Sequence, residues 1–136
     1  MICYAVIDTN VLVSALLSSH DDAATVQVVG KLFSGEVIPL LSKEILREYA
    51  EVLRRKKFGF SEETVSSLIY VIKKYGEMLA PTPTGEILPD MKDLPFYEVV
   101  LEKGEEEAYL VTGNLKHFPI KPFIVTARED RKSTRL

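Results

Sequence analysis

Residues 1–10, MICYAVIDTN, decide the fold: an apolar run from Met1 to Ile7 stops at three polar residues. The length and β-branched content of the run predict a strand buried on both faces, as in a parallel sheet. Residues 11–17, VLVSALL, follow at once and predict a helix. An acid at this junction lies where open α/β sheets carry their chemistry, outside the carboxyl ends of the strands. A role as the N-cap of this helix explains Asp8 or Thr9 equally well, so Asp8 alone does not establish a functional site.

Length and composition describe an ordinary globular chain. The 136 residues predict a single domain over 1–136, with the residues after about 128 as a disordered or truncated tail. One cysteine cannot form an internal disulfide, which fits a reducing compartment. No apolar run approaches the roughly 20 residues of a membrane span, and the chain enters its first strand immediately, leaving no room for a signal peptide. We therefore expect a cytoplasmic protein without membrane association.

The remaining sequence alternates between predicted helices and strands. Helices are expected at 23–33, 43–55, from Ser61 to about Gly76 and at 95–103; strands are expected at 37–41, 108–112 and 122–126. Asp21 or Asp22 is expected to cap the second helix, and Ser42 the third. Pro39 suggests that its strand is an edge strand or ends there. This alternation predicts an α/β fold, a three-layer α/β/α sandwich with a central, mainly parallel sheet.

The net charge of −3 weakens any general argument for nucleic-acid binding. Basic residues nevertheless cluster at Arg54-Arg55-Lys56-Lys57, at Lys116-His117 and in the tail after Arg128. Each cluster is also explained as a solvated surface. Together with acids gathered elsewhere, basic patches suit a metal-dependent enzyme that acts on a phosphodiester. Arg54, Arg55 and Lys116 are candidate contacts to the phosphates of its substrate.

Glu48 is the glutamate of the third helix best placed to reach a cleft. Apolar residues of this helix form one stripe at about 100° per residue, and Glu48 lies roughly 100° from its centre. Glu44 and Glu51 lie roughly 140° and 160° away, so both are expected to point to water. An ordinary boundary position remains the alternative for Glu48.

Further oxygen-bearing side chains stand at element boundaries. Asp93 precedes a helix whose first turn can hold Pro95, so capping competes with a functional role. Asp90 lies in the preceding loop and is the weaker candidate. Asn114 follows a strand that resembles the one before Asp8; it is either a turn residue or a neutral oxygen ligand.

Asp8, Glu48, Asp93 and Asn114 together suit a hard divalent cation. Mg²⁺ takes oxygen ligands and keeps several waters, and it can polarise a phosphoryl oxygen and lower the pKa of water. Carboxylates crowded without a cation would repel one another and raise at least one pKa. Other chemistries are disfavoured: the sequence has no phosphate-binding glycine loop, no serine-hydrolase elbow and no histidine or cysteine pair at zinc-ligand spacing.

Four segments in order carry a family resemblance: DTNVLVSALL at 8–17, SKEILREY at 42–49, DLPF at 93–96 and LVTGNLKHF at 110–118. This series resembles the PIN-domain nucleases, specifically the prokaryotic subgroup of toxin components in toxin–antitoxin pairs. No single segment is decisive, but the ordered set is fairly specific and covers nearly the whole chain.

The resemblance implies an Mg²⁺- or Mn²⁺-dependent endoribonuclease that cleaves single-stranded RNA and leaves a 5′-phosphate and a 3′-hydroxyl. Homodimer formation and inhibition by a small antitoxin protein are implied as well. By resemblance the three acids of the family are Asp8, Glu48 and Asp93. The expected supporting residues are Thr9, Asn10, Asp90 and Thr112.

The chain departs from the family pattern at Asn114, where many relatives carry a fourth aspartate. One charge fewer favours a one-metal site, or a second metal bound only with substrate. It also keeps open a rival interpretation, a catalytically weakened RNA-binding or regulatory module. A metal-dependent phosphatase is less favoured, because the Asp-x-Asp pair that many such enzymes use is absent where Thr9 and Asn10 follow Asp8.

Overall fold

The computed structural model describes residues 2–128 as an α/β fold around a five-stranded parallel sheet flanked by helices. The strands are β1 (Cys3–Ile7), β2 (Val37–Leu41), β3 (Glu77–Met78), β4 (Ala108–Val111) and β5 (Ile124–Val125). The α-helices are α1 (Thr9–Leu17), α2 (Ala24–Ser34), α3 (Lys43–Leu53), α4 (Glu62–Tyr75) and α5 (Leu94–Lys103). Short 3-10 turns lie at Lys56–Phe58, Met91–Asp93 and Leu115–His117. The predicted fold class is confirmed.

The strand order, β3-β2-β1-β4-β5, creates a crevice beside β1. From β1 the chain builds outward through β2 to β3, then crosses back to add β4 and β5 on the other side of β1. Parallel sheets bind ligands at such a reversal, outside the carboxyl ends of the strands. Here those ends are Ile7 of β1 and Val111 of β4, which pair in the sheet.

The predicted burial of the first strand is confirmed for its second half, whereas Cys3 and Tyr4 are only partly buried and Ile2, before the strand, is 62% exposed. Ala5, Val6 and Ile7 are at most 1% exposed. Helices α2 and α4 pack against β2, and α5 packs against β1 and β4. Apolar side chains on both faces of the sheet explain why the run does not alternate with polar residues.

Two predicted helix caps are confirmed. The Ser42 hydroxyl accepts a hydrogen bond from the backbone N–H of Ile45 at 3.2 Å, and Ser61 accepts one from Thr64 at 3.1 Å. Helix α3 ends at Leu53, two residues before the predicted end. Each serine satisfies a backbone donor that the first turn of its helix leaves unpaired.

The predicted cap of α2 is wrong. Ala23, rather than Asp21 or Asp22, occupies the N-cap position, and no side chain there makes a capping hydrogen bond. Instead the side-chain amide of Gln27 reaches back and donates to the carbonyl oxygen of Asp21 at 2.9 Å. The chain before the helix is therefore held by a residue of the helix itself.

The prediction for Pro39 is also wrong, because β2 lies inside the sheet between β1 and β3. Pro39 pairs with Ala5 of β1, whereas β3 pairs only with the two residues that follow the proline. The missing proline N–H is tolerated because the short edge strand begins beyond it. The two-residue strand β3 was not predicted, since its pairing with β2 is a tertiary contact.

Two further sequence expectations concern the chain ends and membranes. Met1 and the predicted tail after residue 128 lie outside the described residues. Within residues 2–128, no helix combines the length and apolarity needed to cross a bilayer.

Candidate active site

An open cavity of about 280 Å³ lies at the carboxyl edge of the sheet, beside β1 and β4. Four carboxylates line it: Asp8, Glu48, Asp90 and Asp93. Thr9, Asn10, Asn114 and His117 also contribute to the lining. The fold thus brings all three predicted family acids and Asn114 to one cavity, although they are separated by up to 106 positions in the chain.

Asp8 is the most deeply placed acid, with only 5% of its surface exposed. Its Oδ2 accepts hydrogen bonds from the Thr112 hydroxyl at 2.7 Å and from the Asn10 side-chain amide at 3.4 Å. Although Asp8 occupies the N-cap position of α1, its side chain makes no capping hydrogen bond. The Thr112 hydroxyl is therefore the main hydrogen-bonding partner of this aspartate, and the backbone N–H groups of Thr9 and Asn10 at the start of α1 contribute less.

Thr112 and Asn10 link the loop after β4 to the loop after β1. The fully buried Thr112 hydroxyl, besides donating to Asp8, accepts a hydrogen bond from the backbone N–H of Asn114 at 3.0 Å. The Asn10 Oδ1 accepts one from the backbone N–H of Gly113 at 3.2 Å. These two contacts fix the backbone at Asn114 relative to the Asp8 carboxylate.

Glu48 is held by the residue that follows Asp8. The Thr9 hydroxyl donates a short hydrogen bond to Glu48 Oε2. The next residue of α3, the buried Tyr49, donates its hydroxyl to the carbonyl oxygen of Ile7 at the end of β1. Both contacts join α3 to the β1–α1 junction, so the half-buried Glu48 faces the cavity as predicted. The exposed positions of Glu44 and Glu51 are also as predicted.

Asp93 stands at the N-cap position of α5, but its side chain does not cap the helix. Its Oδ2 instead contacts Nδ1 of His117 at 3.0 Å; the side chains are 15% and 41% exposed respectively. Asp90 does serve a capping role, since its Oδ1 accepts the backbone N–H of Lys92 at 3.0 Å at the start of a 3-10 turn. Asp90 also lines the cavity, so this capping contact leaves it beside the other acids.

Burial and mutual repulsion make the three acids hold their protons more strongly than usual. Burial raises the pKa of Asp8 to about 6, assisted by the charge of Asp93 and opposed by the Thr112 hydrogen bond. Burial also raises the pKa of Glu48, with Asp8 adding to the effect and the Thr9 hydrogen bond opposing it. The pKa of Asp93 is raised by burial as well, against the lowering influence of His117. Burial is the largest cause for each of the three acids, and repulsion from neighbouring carboxylates adds a smaller contribution.

The candidate RNA contacts do not all reach the cavity. Arg55 lines it, and its guanidinium pairs with Glu51 at 3.2 Å. Arg54 pairs with Glu62 at 2.8 Å and is not part of the lining. The exposed Lys116 is not part of the lining either, whereas Lys92, which the sequence did not suggest, is.

The donor set suits a hard cation by its chemistry, because it offers carboxylate oxygens and an amide oxygen. Among residues 2–128, no three histidine, cysteine or acidic side chains are already grouped closely enough to hold a metal ion. Mg²⁺ commonly binds through one or two carboxylates and keeps several waters, so a complete protein cage is not required.

A family model described as a PIN domain matches residues 4–116, which include Asp8, Glu48, Asp93 and Asn114. The chain belongs to the PIN-domain family. Comparisons with curated proteins and with solved structures gave no match. PIN domains are generally nucleases, so the acidic cavity of this PIN domain is a candidate nuclease active site.

Sequence reasoning missed the partner of Asp93. From the sequence, His117 is expected to be a surface residue or a phosphate contact, because 24 positions separate it from Asp93. The short turn Leu115–His117 after β4 brings its ring to Asp93 at the N-cap of α5. The only signal available was its place three residues after Asn114 at the end of a strand.

Proposed function

We propose that this PIN domain is a metal-dependent endoribonuclease that cleaves single-stranded RNA in the acidic cavity. The observation that carries the proposal is the convergence of Asp8, Glu48 and Asp93 at the reversal point of the sheet. Within the described chain, no lysine or arginine forms an ion pair with any of the three. Their raised pKa values mean that a cation would relieve unfavourable charge.

Asp8 and Asp93 would hold Mg²⁺ or Mn²⁺, with Glu48 as a further ligand or as the carboxylate that positions water. A bound ion of this kind polarises a phosphoryl oxygen and lowers the pKa of water. Ligand geometry depends on neighbours that orient the carboxylates. In this chain Thr112 and Asn10 orient Asp8, and Thr9 orients Glu48.

His117 and Asn114 have different proposed roles. His117 is a positioning residue, since its ring contacts the Asp93 oxygen at 3.0 Å. Asn114 would complete the site or orient substrate, and Asp90 would support the cavity wall. Arg55, which lines the cavity, is the proposed phosphate contact nearest the acids. Arg54 and Lys116 would contact only RNA that extends beyond the cavity.

The finer biological role is proposed from the segment resemblance alone. We propose a cytoplasmic toxin of a toxin–antitoxin pair, homodimeric and inhibited by a small antitoxin protein. The alternative is a catalytically weakened RNA-binding or regulatory module, favoured by the amide of Asn114 in place of a fourth carboxylate.

Cleavage of an end-labelled, unstructured RNA with Mg²⁺, Mn²⁺ or EDTA tests the proposal. Wild type is compared with Asp8→Asn, Asp93→Asn and the exposed control Asp21→Asn, each checked for folding by circular dichroism. We expect metal-dependent cleavage by wild type and the control only. RNA binding without cleavage by folded wild type would favour the weakened module, and cleavage of a small phosphoester but not RNA would favour a phosphatase.

A further inference from the structure

Two phenylalanines at the rim of the acidic cavity form a stacked pair. The ring centroids of Phe58 and Phe60 are 5.6 Å apart and the ring planes differ by 14°. Gly59 separates them with a positive φ of 68°, a backbone conformation that residues with a Cβ adopt rarely. The sharp turn at Gly59 ends the 3-10 turn and brings alternate residues of the segment Phe-Gly-Phe side by side.

The two rings differ in their relation to the cavity. Phe58 lines it together with the catalytic candidates, whereas Phe60 does not. Both are half-buried, and both pack against the hydrophobic core. Phe60 therefore stacks on the Phe58 ring from outside the cavity lining, and Phe58 is the aromatic side chain of this pair that a molecule in the cavity would meet.

The charges around Phe58 favour a polyanion with flat, uncharged groups. The Nζ of the exposed Lys57 lies 5.1 Å from the centroid of the Phe58 ring, so the ring presents a face to a cation. Arg55 lines the same cavity. Proteins bind single-stranded nucleic acid by combining cationic side chains, which contact phosphates, with aromatic rings, which stack on bases.

We propose that Phe58, supported by Phe60, stacks against an unpaired nucleobase next to the phosphodiester that lies over Asp8, Glu48 and Asp93. The proposal rests on the proposed function for the identity of the ligand. It deepens that function by assigning a base-binding position that accepts any base, because every base has a face that can stack. Lys57 would leave the ring and contact a phosphate as the base arrives.

The test uses short single-stranded RNAs carrying 2-aminopurine at successive positions, bound to the Asp8→Asn protein so that the RNA stays intact. Stacking on an aromatic ring quenches the fluorescence of 2-aminopurine. Binding is measured for Phe58→Leu, Phe58→Trp and the matched control Phe60→Leu, each added to Asp8→Asn and checked by thermal unfolding.

Phe58→Leu is expected to weaken RNA binding by about 10-fold or more and to remove the quenching at one RNA position. Phe58→Trp should retain both, and Phe60→Leu should retain most of the affinity. Equal losses in Phe58→Leu and Phe60→Leu, or a loss in Phe58→Trp equal to that in Phe58→Leu, would mean that the ring only packs against the core. Unchanged binding in Phe58→Leu would equally overturn the proposal.

Cleavage assays separate this proposal from the proposed function. Position-specific quenching with no cleavage by wild type would refute the nuclease and leave the stacking position intact. Metal-dependent cleavage with full RNA affinity in Phe58→Leu would refute the stacking position and leave the nuclease intact. Absence of any RNA binding would overturn both.

Discussion

Replacing Asp8 with asparagine is expected to stabilise the metal-free protein while removing one of the proposed metal ligands. Asp8 is 5% exposed, and burial raises its pKa from 3.8 to about 6. A pKa difference of this size corresponds to about 3 kcal/mol of folding free energy. Asparagine keeps an oxygen that can accept both hydrogen bonds now made to Oδ2, from Thr112 and Asn10, but it never ionises.

The direction of the stability change with pH follows from the state that binds the Asp8 proton more tightly. The folded protein holds the Asp8 proton more tightly than the unfolded chain, so ionisation lowers stability as the pH rises from about 4 to about 6. This loss of stability is complete above about pH 6 and absent below about pH 4. Asp8→Asn should therefore exceed wild type by up to about 3 kcal/mol near neutral pH and approach it near pH 4.

Thermal unfolding in EDTA across this pH range measures the difference, which should reach about 10 °C in Tm near neutral pH for a chain of this size. The exposed Asp21→Asn is the matched control and should follow wild type. Added Mn²⁺ should raise the Tm of wild type more than that of Asp8→Asn. A destabilised Asp8→Asn at neutral pH, or a difference independent of pH, would refute the argument from buried charge.

Three further predictions concern neighbouring positions. His117→Ala should weaken Mn²⁺ binding by about 10-fold, measured by titration, because the Asp93 carboxylate loses the contact that positions it; His117→Gln should restore part of the loss. Gly76→Ala should lower the free energy of unfolding by about 1–3 kcal/mol in urea, because its Cβ would lie 2.5 and 2.9 Å from backbone oxygens; an unchanged midpoint would contradict this. Arg55→Ala should reduce the slope of log affinity against log salt for single-stranded RNA by about 0.7, and Arg54→Ala, outside the cavity, should not.

The elements that sequence could predict are those whose cause is local. The buried strand before Asp8 and the capping serines Ser42 and Ser61 are confirmed because strand burial and helix starts depend on nearby residues. Helical periodicity also placed Glu48 correctly on the flank of α3. These local signals were enough to predict the sheet class and to nominate the acids.

The features that sequence could not predict depend on contacts between distant segments. Strand order, the pairing of β3 with β2 and the interior position of Pro39 are set by packing that no short window records. The contact of His117 with Asp93 and the stacking of Phe58 on Phe60 likewise required three-dimensional placement. The sequence and its family resemblance therefore nominated the acids and the supporting residues Thr9, Asn10 and Thr112, but not the contact of His117 with Asp93.

The side chain of Asn114 adds no further charge to a cavity that already holds four carboxylates. A carboxylate there would stand next to the hydroxyl of Thr112, which already links the Asn114 backbone to Asp8. It would add repulsion to acids whose pKa values are already raised by burial and by one another. The amide avoids that cost in the metal-free protein but offers a second cation a weaker ligand. We therefore propose that Asn114 favours both the metal-free state and the binding of a single ion.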